Sequence, residues 1–320
     1  MFLALCLFLP SLVNSIVYYT ISGISSGGYM AGQMHVSHSA TITGAGIVAA
    51  GPYYCAQNSL YRASYICTYN DSTPDVSPLI TYASTMSANG QIDSVSNLAN
   101  SKVYIFAGAS DELMRPAILN GTYNFYKAFV PASQITFEST LKSNHAWPTK
   151  DQGNPCWYYG IAFANNCGYD ASGIILNTLL GPLYQRTVMN QTNLHSFSQV
   201  KYVNTGKASM DSIGFIYIPA GCKDDASLCR LHVNIHGCVQ NYDSIGYMYM
   251  SQIGMAEWAE SNNIVVIFPQ TANTDANQNY GCWDFFGYTG SSYAIKSGIQ
   301  VNAIHSMAQD YVNLVASIFK

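Results

Sequence analysis

Residues 23–28, Gly-Ile-Ser-Ser-Gly-Gly, carry Gly-x-Ser-x-Gly between an alternating β-rich run at 16–22 and a segment at 29–39 that can continue as a helix. Strand, sharp turn and helix are the setting in which this spacing lifts a serine hydroxyl above a sheet, so Ser25 is the candidate nucleophile. The glycines permit the turn, and a helix N-terminus beneath the serine aims the Ser26 N–H at a developing oxyanion. A nucleophilic serine needs a base, and the base an orienting carboxylate. The apolar run 103–107 breaks at Gly108 and presents Asp111 in the next turn, whereas Asp71, Asp75 and Asp93 follow no strand. His145, in a loop after the β-rich run 134–137, is the expected base. His35 and His38 stand at helical i, i+3 spacing without a Cys or carboxylate to complete a metal site, so surface or packing roles are expected of them, as of His195, His232 and His305. No metal or organic cofactor is implied.

The elements that must position these residues follow from hydrophobic pattern. Further β-rich runs fall at 46–50, 215–218, 231–235 and 264–268, and helical stretches at 78–86, 115–129, 171–180, 245–261 and 293–319. Short apolar strands alternating with amphipathic helices predict an α/β fold: a mostly parallel central sheet with helices on both faces. Neither a repeat nor a low-complexity linker interrupts 16–320, which reads as a single catalytic domain. The run 231–235 leads into His236-Gly237-Cys238, the way an oxyanion loop begins, so Cys238 is the expected second oxyanion donor. That strand ordinarily precedes the nucleophile, but here it follows His145. A circular permutation accounts for the order and predicts Phe319 close to Ile16, with 191–206 a polar stretch tolerant of new termini.

Composition narrows the setting. The 320 residues are 49% apolar and only 9% charged, with 25 tyrosines and a formal charge of −4, so nothing is available to neutralise a nucleic-acid backbone. Residues 1–15 read as a signal peptide, apolar but too short to span a bilayer. Removing Cys6 with it leaves eight of the nine cysteines, an even number suited to an oxidising compartment. Sequons at Asn70, Asn120 and Asn190 agree with secretion as a glycoprotein. The expected product is a secreted monomer with no stable membrane insertion.

The segments 22–30, 51–55, 107–111, 145–149, 166–170, 231–240 and 281–284 together resemble the secreted poly(3-hydroxybutyrate) depolymerases of the circularly permuted, single-domain type, an α/β-hydrolase family. The resemblance implies a serine esterase acting on polyhydroxybutyrate-like polyesters, with Ser25 as nucleophile, Asp111 as acid, His145 as base and the Ser26 and Cys238 amides as oxyanion donors. It also implies that Trp283 is a wall of the substrate pocket. The alternatives are a feruloyl- or acetylxylan-esterase-like enzyme of the same superfamily, and a binding protein that has lost activity. The expected disulfides are Cys55–Cys67, Cys156–Cys167 and Cys222–Cys229, chosen as near neighbours, and a long-range Cys238–Cys282.

Overall fold

A computed structural model describes residues 16–278 and 280–319; the expected signal segment, with Cys6, lies outside the described residues. The strands are β1 (Tyr19–Ile24), β2 (Ile42–Val48), β3 (Lys102–Phe106), β4 (Ile135–Glu138), β5 (Trp147–Thr149), β6 (Asn154–Pro155), β7 (Ala164–Asn166), β8 (Leu194–Ser198), β9 (Ile213–Tyr217), β10 (Arg230–Ile235) and β11 (Ile264–Phe268). The helices are α1 (Ser26–Ser37), α2 (Leu60–Tyr65), α3 (Ser77–Ala88), α4 (Pro116–Lys127), α5 (Ala171–Leu180), α6 (Thr205–Ala208), α7 (Tyr242–Ile245), α8 (Met248–Gln252), α9 (Met255–Asn262), α10 (Ile299–Gln309) and α11 (Tyr311–Phe319).

Eight strands make one sheet in the order β4-β3-β2-β1-β10-β11-β9-β8, and β5-β7-β6 form a small second sheet. Every pairing in the large sheet is parallel except β11 with β9 and β9 with β8. The central strands are buried on both faces, which is why β11 reads Ile-Val-Val-Ile-Phe with no polar alternation. A polar seam nevertheless runs between β1 and β10. His232 is held by Thr20 Oγ1 at 2.8 Å and Ser22 Oγ at 2.7 Å, and the Asn234 amide donates to Ser22 Oγ at 2.9 Å. Each ring nitrogen thus has a partner, as burial demands.

Several sequence expectations change. The helix expected over 245–261 is broken at Gly246 and again at Gly254, both at positive φ, giving α7, α8 and α9. The helix expected over 293–319 is α10 and α11, parted at Asp310. The polar stretch 191–206 contains β8, an edge strand paired along its length with β9 and burying Phe197, so it is a poor place to open the chain. Phe319 does not meet Ile16: its ring lies 5.3 Å from His195 on β8, and β9, β11 and β10 separate β8 from β1. The residue that meets the segment just before β1 is Gln309, whose side chain accepts from the Val17 N–H at 3.0 Å and donates to the Val17 carbonyl at 2.9 Å.

Burial also neutralises histidines. It pushes His35 and His232 down to about 3 and His236 to about 4. Because these values lie below the ordinary 6.5, the unfolded chain binds the protons first: the stability is fully present above pH 6.5 and is lost as pH falls toward 4. Each group contributes a slope of roughly 1.4 kcal/mol per pH unit in that window. Urea midpoints should therefore fall between pH 7 and pH 5. His35→Leu, which also removes a buried Nε2 that has no partner, should flatten the fall. Equal midpoints at the two pH values would contradict this.

Candidate active site

The nucleophile candidate sits where β1 gives way to α1. Ser25 has φ 57 and ψ −125, a backbone state that non-glycine residues seldom occupy. Glycines on both sides allow neighbouring backbones to close in: a Cβ on Gly23 would lie 2.2 Å from the Gly27 carbonyl oxygen, and one on Gly27 would lie 2.1 Å from that of His236. The end of β10 is therefore packed directly against the first turn of α1.

The acid and base candidates are joined. His145 Nδ1 and Asp111 Oδ2 are 2.9 Å apart and both side chains are almost wholly buried. The other Asp111 oxygen accepts from the Leu113 and Met114 N–H groups at 2.9 and 2.7 Å, which fixes the carboxylate plane. Asn144 Oδ1 accepts from the His145 N–H at 2.8 Å and the Glu112 N–H at 3.2 Å, tying the histidine loop to the acid turn. With Nδ1 engaged by Asp111, Nε2 is the nitrogen left for a hydroxyl. No hydrogen bond joins it to Ser25 among the described residues, and such contacts tighten on substrate binding.

The expected oxyanion donors adjoin Ser25. A Cβ on Gly237 would lie 3.1 Å from the Ser25 Cβ, so the Gly237–Cys238 turn is packed on the nucleophile. Ser26 opens α1, where helix N–H groups have no intrahelical acceptor. The Ser26 hydroxyl is engaged separately, since Oγ accepts from the buried Trp283 N–H at 3.2 Å, so replacing Ser26 by alanine strands that donor as well. All four expected disulfides are formed, Cys55–Cys67, Cys156–Cys167, Cys222–Cys229 and Cys238–Cys282.

The Trp283 side chain is fully buried, its ring 5.5 Å from that of His236, and the neighbouring Cys282 lines a cavity at Ser25. That cavity, about 220 Å³, takes its walls from Tyr29, Leu60, Thr68, Leu113, Met114, Phe285 and Phe286, with the Cys238–Cys282 bridge at its edge. Phe285 and Phe286 are held by Asp284, a buried carboxylate that accepts from the Phe286, Gly287, Tyr288 and Thr289 N–H groups at 3.1, 2.6, 3.1 and 2.7 Å. Burial outweighs those donors and raises the Asp284 carboxyl. Sequence reasoning missed these wall residues; Asp284 in a Gly/Thr-rich turn was their only local signal. His35 and His38 are buried packing residues, and among the described residues no group of three His, Cys, Asp or Glu is arranged to hold a metal.

The chain is 33% identical over 312 residues to a polyhydroxybutyrate depolymerase of Talaromyces funiculosus, a match spanning 92% of this chain and 89% of that protein. The chain belongs to the polyhydroxybutyrate depolymerase family. A crystal structure of the Penicillium funiculosum depolymerase superposes with a TM-score of 0.84 at 31% identity, over 94% of this chain and 98% of the other. A serine-to-alanine variant of a depolymerase complexed with an R3HB trimer gives the same score at 30% identity. A poly(3-hydroxybutyrate) depolymerase of Delftia acidovorans is 37% identical over 303 residues, 93% of this chain, and the chain spans 60% of that longer protein. No family model matches the chain. The large sheet of this depolymerase relative is that of an α/β-hydrolase.

The packing at Gly27 yields a direct test. Gly27→Ala sets a methyl against the His236 carbonyl and should cost more than about 3 kcal/mol or abolish folding, read by circular dichroism and a thermal melt. An unchanged melt would mean that the turn is not packed as described.

Proposed function

We propose that this chain is a secreted serine esterase that cleaves polyhydroxybutyrate-like polyesters, acting as a monomer through Ser25, His145 and Asp111. The observation that carries the reading is the buried Asp111–His145 pair, 2.9 Å apart, at the same end of the sheet as the strained Ser25. His145 Nε2 takes the Ser25 proton as Oγ attacks the ester carbon. Asp111 holds Nδ1–H toward itself and stabilises the imidazolium. The carbonyl oxygen, now an anion, is met by the Ser26 and Cys238 N–H groups. Collapse breaks the bond to the alcohol oxygen, which leaves with the proton from His145. Water then repeats the steps on the acyl-enzyme, releasing the acid and restoring Ser25.

The surroundings suit an uncharged, apolar polymer. Leu60, which lines the cavity, belongs to the same helix as the exposed Tyr61 and Tyr65, and Tyr69 follows. The loop closed by Cys156–Cys167 adds the exposed Trp157, Tyr158, Tyr159 and Ile161, with Tyr159 6.3 Å from the His145 ring. Exposed aromatics flanking the cavity offer direct adsorption to a polyester surface. Secretion is supported by the four disulfides, and no helix among the described residues is long and apolar enough to cross a membrane. The order β8-β9-β11-β10-β1-β2-β3-β4, in which β1 lies beside β10 in space but far ahead of it in the chain, supports a circular permutation, and the Gln309–Val17 hydrogen bonds bring the end of α10 to the residues just before β1.

Two outcomes test the reading. The purified chain should clear a polyhydroxybutyrate suspension, and Ser25→Ala, His145→Ala and Asp111→Asn should each lower hydrolysis by roughly three orders of magnitude or more with little change in the thermal melt. Turnover of p-nitrophenyl butyrate without clearing would make it an esterase of another substrate class; near-normal turnover by Ser25→Ala would remove the nucleophile assignment. Reduction of Cys238–Cys282 should lower activity before circular dichroism changes, because the bridge anchors a proposed oxyanion donor. Full activity in the reduced, folded protein would count against that anchoring role.

A further inference from the structure

One buried side chain spans the two halves of the machinery without belonging to either. Gln240 follows the proposed oxyanion donor by two residues and is 2% exposed. Its Oε1 accepts from the Gly237 N–H at 2.7 Å, and its own backbone N–H donates to the Gly237 carbonyl at 3.3 Å, so Gly237 is gripped at both ends. That carbonyl is also 2.7 Å from His236 Nδ1; burial keeps this ring neutral, so Nδ1 can carry the donated hydrogen. Across a trans peptide the carbonyl and the following N–H point in opposite directions. Pinning the Gly237 oxygen toward His236 and Gln240 therefore turns the Cys238 N–H the other way, and Cys238 lines the cavity with Ser25.

The other end of the same amide reaches the histidine side. Gln240 Nε2 donates to the Ala162 carbonyl at 2.9 Å and the Phe163 carbonyl at 3.4 Å. The Phe163 ring stands edge-on to His145 with centroids 6.0 Å apart, and the Phe163 carbonyl accepts from the Trp147 N–H at 2.7 Å, two residues beyond His145. The amide has one orientation only: flipped, its NH₂ would face the Gly237 N–H and its oxygen two carbonyls. The loop it holds would not keep its shape unaided, since Val239 sits at φ 53, which a β-branched residue avoids.

We infer that Gln240 is a positioning residue for ester hydrolysis, which fixes the direction of the Cys238 N–H and its register against the wall of His145. It touches no reacting atom. The inference rests on the reading of this site as a serine esterase.

Loss of the amide leaves the donor present but poorly aimed, a smaller defect than removing it. Gln240→Met keeps the length and removes the hydrogen bonds. Its kcat on p-nitrophenyl butyrate should fall roughly ten- to hundred-fold with KM changed less than about two-fold, because the lost contact serves the transition state. Inhibition by butylboronic acid, which forms a tetrahedral adduct, should weaken by a similar factor. Gln240→Glu retains the acceptor for Gly237 but opposes two carbonyls with an oxygen unless protonated, so its kcat relative to wild type should rise as pH falls. This second variant carries the test where Gln240→Met does not fold. A wild type inactive on the ester would sink the functional reading itself. An active wild type with folded variants that keep its kcat and boronate affinity, or a flat pH ratio for Gln240→Glu, would overturn this inference alone.

Discussion

The backbone at Ser25 stands at φ 57 and ψ −125, and it stays there because β1, α1 and the end of β10 are packed too closely for any side chain to intervene. Gly23 and Gly27 each abut a carbonyl oxygen, and Gly237 abuts the Ser25 Cβ from the β10 side. Strain of this sort persists only when the surroundings over-determine it. Here they do so through the parallel register of β1 with β10, which sets Gly23 beside Ile235 and brings the turn after β10 to the turn after β1. The seam of Thr20, Ser22, His232 and Asn234 lies in these same two strands and adds hydrogen-bonded specificity to a register that apolar side chains alone would leave freer to slip.

The remaining parts arrive by the same logic. In a parallel sheet the carboxyl ends of neighbouring strands open on one side, and loops leaving them converge there. Ser25 follows β1, Asp111 follows β3, His145 follows β4 and Gly237 follows β10, so residues far apart in the chain leave the sheet at the same, carboxyl end of its strands. What keeps them in register is a set of buried polar ties rather than apolar packing: Asn144 between the histidine and acid turns, Ser26 to the Trp283 N–H, Asp284 beneath Phe285 and Phe286, and Gln240 between the oxyanion loop and Phe163. Each is a group whose loss would strand a buried donor or acceptor, so each converts burial into geometric precision.

How much of this was legible in the sequence depended on how local the signal was. The Ser25 turn, the break at Gly108 before Asp111 and the apolar strands announce themselves within a few residues, and the mostly parallel, doubly covered sheet followed from them. The cavity wall did not, because Leu60 and Thr68, Leu113, and Phe285 come from three segments that meet only after folding. Trp283 illustrates the same limit: a large aromatic beside a cysteine reads equally as a wall or as core, and the structure buries it. The edge strand β8, Leu-His-Ser-Phe-Ser, buries little besides Phe197 and reads as a polar loop. The helices over 245–261 and 293–319 kept their apolar pattern across Gly246, Gly254 and Asp310, where the backbone nevertheless turns.

Whether this turn makes Ser25 a nucleophile served by His145 can be read by treating the folded chain with a fluorophosphonate ester and mapping the adduct by peptide mass spectrometry. One equivalent of label is expected, on Ser25, formed at a rate that His145→Ala reduces by orders of magnitude. Label on another residue, or an active esterase that takes up none at Ser25, would contradict that role.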